Sequence, residues 1–159
     1  EDHKITLLAS NYTPADAASI PYGDIVPVEG TPMDFRTPHT VGCRINDKFQ
    51  QLEFGTGYDH NYVLNKHEPG ELTLAASMVE PSTGRTMECW TTEPGVQFYS
   101  DNWADGYKGQ HGATFGKRSG LCFEAQHFPD SPNRPYFPPV TLKPGEVYTQ
   151  KTIYKFGVE

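Results

Sequence analysis

The chain has no cluster of Lys or Arg beyond Lys117-Arg118, and its formal charge is −7 with a pI near 5.3. Nucleic acids and anionic lipid surfaces are held through clustered positive charge, so neither is an expected partner. No apolar run approaches the length that crosses a bilayer, and no charged-then-apolar leader opens the sequence. Three cysteines, Cys43, Cys89 and Cys122, are too few and too scattered for a disulfide scaffold or a zinc site. Their odd number fits a reducing compartment, and the expected location is the cytosol. The one sequon, Asn11-Tyr12-Thr13, is followed directly by Pro14, and so short a motif arises often by chance. Hydrophobic residues are sparse at 36%, which sets a modest core. The sequence opens at Glu1 without a Met, which reads as a processed product, an excised fragment or one piece of something longer.

Aromatics are plentiful by contrast, with nine Tyr and nine Phe against two Trp. Rings at that density suit a β-rich core or a surface on which flat ligands stack. Fifteen glycines and fourteen prolines argue against long helices and for many turns between strands. Residues 5–9 read as one strand. The five prolines between Pro14 and Pro38 then forbid a useful helix and leave at most a turn of one at residues 33–36. Residues 58–64 form the next strand candidate. Residues 71–79 and 85–92 flank Pro81-Ser82-Thr83-Gly84 and make the clearest hairpin. Residues 96–99 and 121–126 are short strands separated by a long polar loop over residues 101–118, and residues 147–158 read as a final strand. The expected fold is all-β, an antiparallel β-sandwich over residues 1–159 with no internal boundary.

Period-2 alternation sorts the side chains by face. Cys122, Glu124 and Gln126 share one side of their strand, opposite Leu121 and Phe123. Gln97 and Tyr99 share a side opposite Val96 and Phe98. Asp59 and Asn61 share a side opposite Tyr58 and His60. A carboxylate, an amide and a second carboxylate near aromatic rings suit a sugar, because hydroxyls take bidentate acceptors and C–H faces take rings. A carboxylate placed among aromatics also gains proton affinity, as a base near neutral pH requires. Other chemistries use the same residues. Asp59-His60 could start a metal site, but neighbours on a strand point apart and no second cluster completes a shell. Cys122 near His127 could supply a thiol nucleophile, although a strand end separates them. Asp59 and Glu124 could be the two carboxylates of glycoside hydrolysis.

Four blocks resemble the galactose mutarotases (aldose 1-epimerases). Gly57-Tyr58-Asp59-His60-Asn61-Tyr62-Val63-Leu64 resembles that family's G-x-D-H-x-[FY]-x-L segment, and Glu93-Pro94-Gly95-Val96-Gln97-Phe98-Tyr99 its E-P-G-x-Q-F-Y strand. Leu121-Cys122-Phe123-Glu124-Ala125-Gln126-His127-Phe128-Pro129-Asp130, with Asn133 and Pro135, is similar to C-L-E-T-Q-x-x-P-D-x-x-N-x-P. Leu142-Lys143-Pro144-Gly145-Glu146, then Tyr148 and Tyr154-Lys155-Phe156, is similar to L-x-P-G-E-x-Y…Y-x-F. Blocks in order over nearly the whole chain are far more specific than one short motif.

The resemblance implies a mutarotase-type supersandwich and the interconversion of α- and β-anomers of free hexoses such as galactose or glucose, with no cofactor and no metal. It assigns the catalytic base to Glu124 and sugar contacts to Asp59 and Gln97. The acid histidine of the family falls in an N-H-x-Y-F-N-L stretch ahead of the position matching Glu1, and no such stretch occurs here. The sequence therefore matches the C-terminal part of the domain. Its expected partner, besides the monosaccharide, is an N-terminal segment or chain that supplies the acid. Two other readings stay open: a sugar- or protein-binding subunit without turnover, and a reaction using His60 or His127 as the acid.

Overall fold

The computed structural model describes every residue from Glu1 to Glu159. Its strands are β1 (Lys4–Leu7), β2 (Ala9–Thr13), β3 (Val26–Pro27), β4 (His39–Thr40), β5 (Asp59–Leu64) and β6 (Thr73–Glu80). They continue as β7 (Arg85–Thr91), β8 (Gly95–Tyr99), β9 (Tyr107–Lys108), β10 (Thr114–Phe115), β11 (Cys122–Gln126) and β12 (Thr152–Val158). A single short α-helix, α1, spans Gln50–Gly55. Two five-stranded antiparallel sheets form, one in the order β12, β7, β6, β1, β4 and the other β11, β8, β5, β2, β3. The fold is the antiparallel sandwich that the alternation and turn spacing imply.

The core lies between the sheets. Ile5 and Leu7 of β1, Ala75 and Ala76 of β6 and Cys89 of β7 meet Tyr12, Tyr62, Val96, Phe98 and Phe123 from the facing sheet. Burying a large apolar side chain is worth roughly 1.5–3 kcal/mol, so this modest set has to be fully enclosed to serve. The proline-rich stretch helps to enclose it. Met33 and Phe35 are wholly buried, and the carbonyls of Pro32 and Met33 accept hydrogen bonds from the hydroxyls of Tyr58 and Tyr62 at 3.2 and 3.1 Å. Phe35 packs edge-on against Tyr58 at 5.0 Å and against Phe98 at 5.7 Å.

Three local features differ from the sequence reading. The strand expected over residues 5–9 is two strands in different sheets: the chain changes sheet at Leu8, whose N–H bonds Ala75 O and whose carbonyl accepts from Asn65 N–H. The final strand begins at Thr152 rather than 147. The helix falls at Gln50–Gly55, not at residues 33–36, where the chain makes only the end of a turn closed from Asp34 N–H to Thr31 O. The hairpin of β6 and β7 stands as expected. Its turn is held by the Glu80 carboxylate, which accepts from Ser82 N–H and Thr83 N–H at 2.9 Å each.

Candidate functional site

The segment entering β5 is held by a buried polar clasp. Thr56 closes α1 in the left-handed region at φ 56°, and Gly57 follows at φ 141°, where a side chain would also collide with Asn102. Asn102 donates from Nδ2 to Gly55 O and Tyr58 O, both at 2.9 Å. Ser100 Oγ accepts from Tyr58 N–H at 3.0 Å and bonds Asn102 Oδ1 at 2.7 Å. Buried peptide groups must be paired, and these bonds tie the residues just after β8 to those just before β5. The clasp fixes the backbone one residue before Asp59.

Strand pairing then brings the three expected residues to one face. Glu124 of β11 stands directly across from Gln97 of β8, which stands across from Asn61 of β5 and in turn Thr13 of β2. Cys122, Tyr99 and Asp59 form the adjacent row. Phe98, Phe123, Tyr58 and Tyr62 alternate onto the opposite face and fill the core, so Glu124, Gln97 and Asp59 point away from it. Gln97 Nε2 donates to Asp59 Oδ1 at 2.8 Å, and Gln97 Oε1 accepts from Gln126 Nε2 at 3.1 Å. Gln126 shares that face, as its alternation with Glu124 requires, yet nothing in the sequence marks it as a partner of Gln97.

Glu124 is exposed and takes no hydrogen bond from the chain. It is not enclosed by aromatic rings: Phe98 and Phe123 lie on the core side, and only Tyr99, in the adjacent row, brings a ring to its own face of these two strands. Partial desolvation and then the Asp59 carboxylate push its pKa above the ordinary value, with solvent screening both effects. The arrangement offers an acceptor-only carboxylate of raised basicity beside a fixed amide and a second carboxylate. It can take a proton from a hydroxyl and bind the neighbouring hydroxyls.

The two histidines nearest in sequence are committed elsewhere. His60 is buried on the core side, edge-on to Tyr12 at 6.0 Å, and its Nδ1 accepts from the Asp59 N–H. Burial pushes its pKa down to about 4, so it is a neutral core residue facing away from Glu124. His127 Nδ1 lies 2.6 Å from Oε2 of the buried Glu93, whose Oε1 accepts from Tyr148 at 2.8 Å. Cys122 is exposed beside Glu124, and partial desolvation followed by the charges of Glu124, Asp101 and Asp59 raises its thiol pKa. A cavity of about 980 Å³ lies among Val63, Glu93, His127, Phe128, Tyr136 and Lys151, and none of Glu124, Gln97 and Asp59 lines it. No three His, Cys, Asp or Glu side chains converge on a metal-sized position. No helix is long and apolar enough to cross a membrane.

An antiparallel sandwich carrying a carboxylate, an amide and a second carboxylate on one open sheet face is the class that fold and site define. The family model for aldose 1-epimerase matches residues 1–155, and the chain belongs to that family. It is 45% identical to galactose mutarotase of Mus musculus over 99% of its own length, which is 44% of the mouse protein. It is 32% identical to aldose 1-epimerase of Escherichia coli, again over 99% of the chain and 46% of the relative. Among solved structures it is similar to an aldose epimerase homologue from C. elegans, with a TM-score of 0.85, 24% identity, and coverage of 99% of this chain and 46% of that one. It is also similar to galactose 1-epimerase from Lactobacillus acidophilus, with a TM-score of 0.78, 26% identity, and coverage of 99% and 44%. The chain thus spans somewhat less than half the length of the relatives it matches.

Proposed function

We propose that residues 1–159 are the C-terminal part of a sandwich domain that interconverts the α- and β-anomers of free hexoses such as galactose or glucose. Glu124 takes the proton from the C1 hydroxyl. An acid gives a proton to the ring oxygen, the bond between C1 and that oxygen breaks, and an open-chain aldehyde results. C1 turns, the former ring oxygen attacks its other face, and both protons return to where they started. The reaction consumes nothing and needs only a base and an acid at opposite ends of a hemiacetal. Asp59 and Gln97 hold the sugar hydroxyls.

The observation that carries this reading is the lateral placement of Glu124, Gln97 and Asp59 on one face, with Glu124 raised in proton affinity. The acid comes from a histidine on an N-terminal segment or second chain. The commitment of His60 to the core and of His127 to Glu93 supports an outside donor. So does the exposed apolar stretch of β12, where Phe156 is 75% and Val158 73% exposed: an open sheet edge of this kind invites a covering strand.

Polarimetry on freshly dissolved α-D-galactose tests the proposal, using this chain completed by the segment that precedes the matched region in its relatives. Acceleration over the spontaneous rate is expected, and its loss in Glu124→Gln. No acceleration by the completed protein contradicts it.

A further inference from the structure

The amide of Gln97 has two possible orientations, and its neighbours allow only one. The Asp59 carboxylate can only accept, so Gln97 turns Nε2 toward it, at 2.8 Å. That leaves Gln97 Oε1 pointing the other way, where Gln126 Nε2 donates to it at 3.1 Å. Gln126 pairs in register with Gly95, which presents no side chain, while Gln97 lies two residues further along the same face of β8. The place that a Gly95 side chain would take is filled by Asn61 and the Phe128 ring, and the half-buried Gln126 reaches diagonally across the strand pair to the long side chain of Gln97. The result is a directed relay from Gln126 through Gln97 to Asp59.

We propose that Gln126 is a positioning residue of this site, holding the Gln97 amide so that its second N–H faces the open side of the sheet beside Asp59 and Glu124. That N–H has no acceptor within the chain, and Asp59 Oδ2 receives no hydrogen bond from it. One free donor and one free acceptor therefore stand in fixed order beside the Glu124 carboxylate. A hydroxyl both donates and accepts, so the order selects how a pair of adjacent hydroxyls is oriented. Without Gln126, the Oε1 of Gln97 loses its donor, and the amide is held at one end only, by Asp59. The proposal rests on the reading of Glu124 as the base, with Gln97 binding substrate rather than reacting.

The test is Gln126→Met, which keeps length and removes the donor, with Gln126→Glu as a second variant that draws a Gln97 N–H to itself. Both are made in the completed protein labelled with 15N-glutamine. An interaction made equally in ground and transition states changes KM and leaves kcat alone. The expected result for Gln126→Met is a KM for galactose raised roughly three- to tenfold, kcat held within about twofold, and displaced side-chain amide signals of Gln97. A structural role alone lowers melting temperature without splitting KM from kcat. Unmoved Gln97 signals overturn the proposal, and so do displaced signals with an unchanged KM. If the protein proves not to turn galactose over, the underlying reading fails separately. The comparison then becomes galactose affinity followed on the same Gln97 signals, where equal affinity in parent and Gln126→Met overturns the positioning role and weaker binding in the variant supports it.

Discussion

Gln97 Nε2 donates to Asp59 Oδ1 at 2.8 Å, and directly across the strand pair from Gln97 stands Glu124. Two carboxylates thus flank one amide, and only Asp59 is hydrogen-bonded to it. Glu124 keeps its oxygens free and feels the Asp59 charge, which adds to partial desolvation in raising its pKa. The acid limb of the pH–rate profile should therefore fall at a higher pH than an ordinary Glu sets. Asp59→Asn removes a negative neighbour, which favours the ionised form and moves that limb to lower pH. The pH dependence of kcat/KM measures it; a limb that stays put or moves up denies the coupling.

Glu124→Gln should cost about a hundredfold or more in mutarotation, the usual range for losing a general base. Its stability should behave differently. A carboxyl whose pKa is raised on folding opposes folding above the unfolded-state pKa, so the neutral amide should leave the melting temperature at pH 7 equal or slightly higher. Thermal melts of the two proteins distinguish lost chemistry from lost structure, and a clearly lower melting temperature in Glu124→Gln contradicts this assignment.

His60 controls an acid-sensitive part of the stability. Its folded pKa is depressed to about 4 from 6.5 by burial, so its contribution is fully present above about pH 6.5 and is lost as pH falls toward 4. The whole window is worth about 3 kcal/mol, at most about 1.4 kcal/mol per pH unit. Urea denaturation from pH 7 to 4 should show this slope in the parent and its absence in His60→Phe. Parallel curves for the two proteins contradict it.

Cys122 reports on the charge at the site. Its thiol pKa is held up by partial desolvation and by Glu124, Asp101 and Asp59, so Glu124→Gln should raise the thiolate fraction and speed its modification by a disulfide reagent at pH 8. Cys89 is buried, its pKa pushed up to about 11, and should react only on unfolding. Residue-resolved mass spectrometry over time follows both. An unchanged Cys122 rate means that Glu124 carries no charge felt there.

Asn102→Ala removes both donors to Gly55 O and Tyr58 O and should destabilise the protein by about 2–3 kcal/mol. Because the lost bonds release the joint before Asp59, KM should rise as well. Chemical denaturation and steady-state kinetics read the two effects; full stability in Asn102→Ala would show that the clasp does not hold this joint.

Much of the site is legible in the sequence because a strand has a period of two. Glu124, Gln126, Gln97 and Asp59 can each be assigned to a face from their apolar neighbours, and pairing order does the rest. The hairpin of β6 and β7 is equally plain from its alternation and its Pro-to-Gly turn. Alternation does not carry the change of sheet at Leu8, where Ile5, Leu7 and Ala9 keep one rhythm while the backbone crosses over. Nor does it reveal α1, which is six residues long and starts after Phe49 with no side-chain cap. That helix is closed by the backbone N–H groups of Thr56 and Gly57, which donate to Glu53 O and Leu52 O. The bond from Gln126 to Gln97 is diagonal, a relation between two strands that neither one displays alone.

Exchange NMR on equilibrated D-galactose, following magnetisation transfer between the α and β anomeric protons, puts the role of Glu124 to the most direct trial. With the completed protein, transfer should be fast and should collapse by about a hundredfold or more in Glu124→Gln while the sugar still binds. Undiminished transfer in Glu124→Gln would show that the proton leaves the C1 hydroxyl by another route.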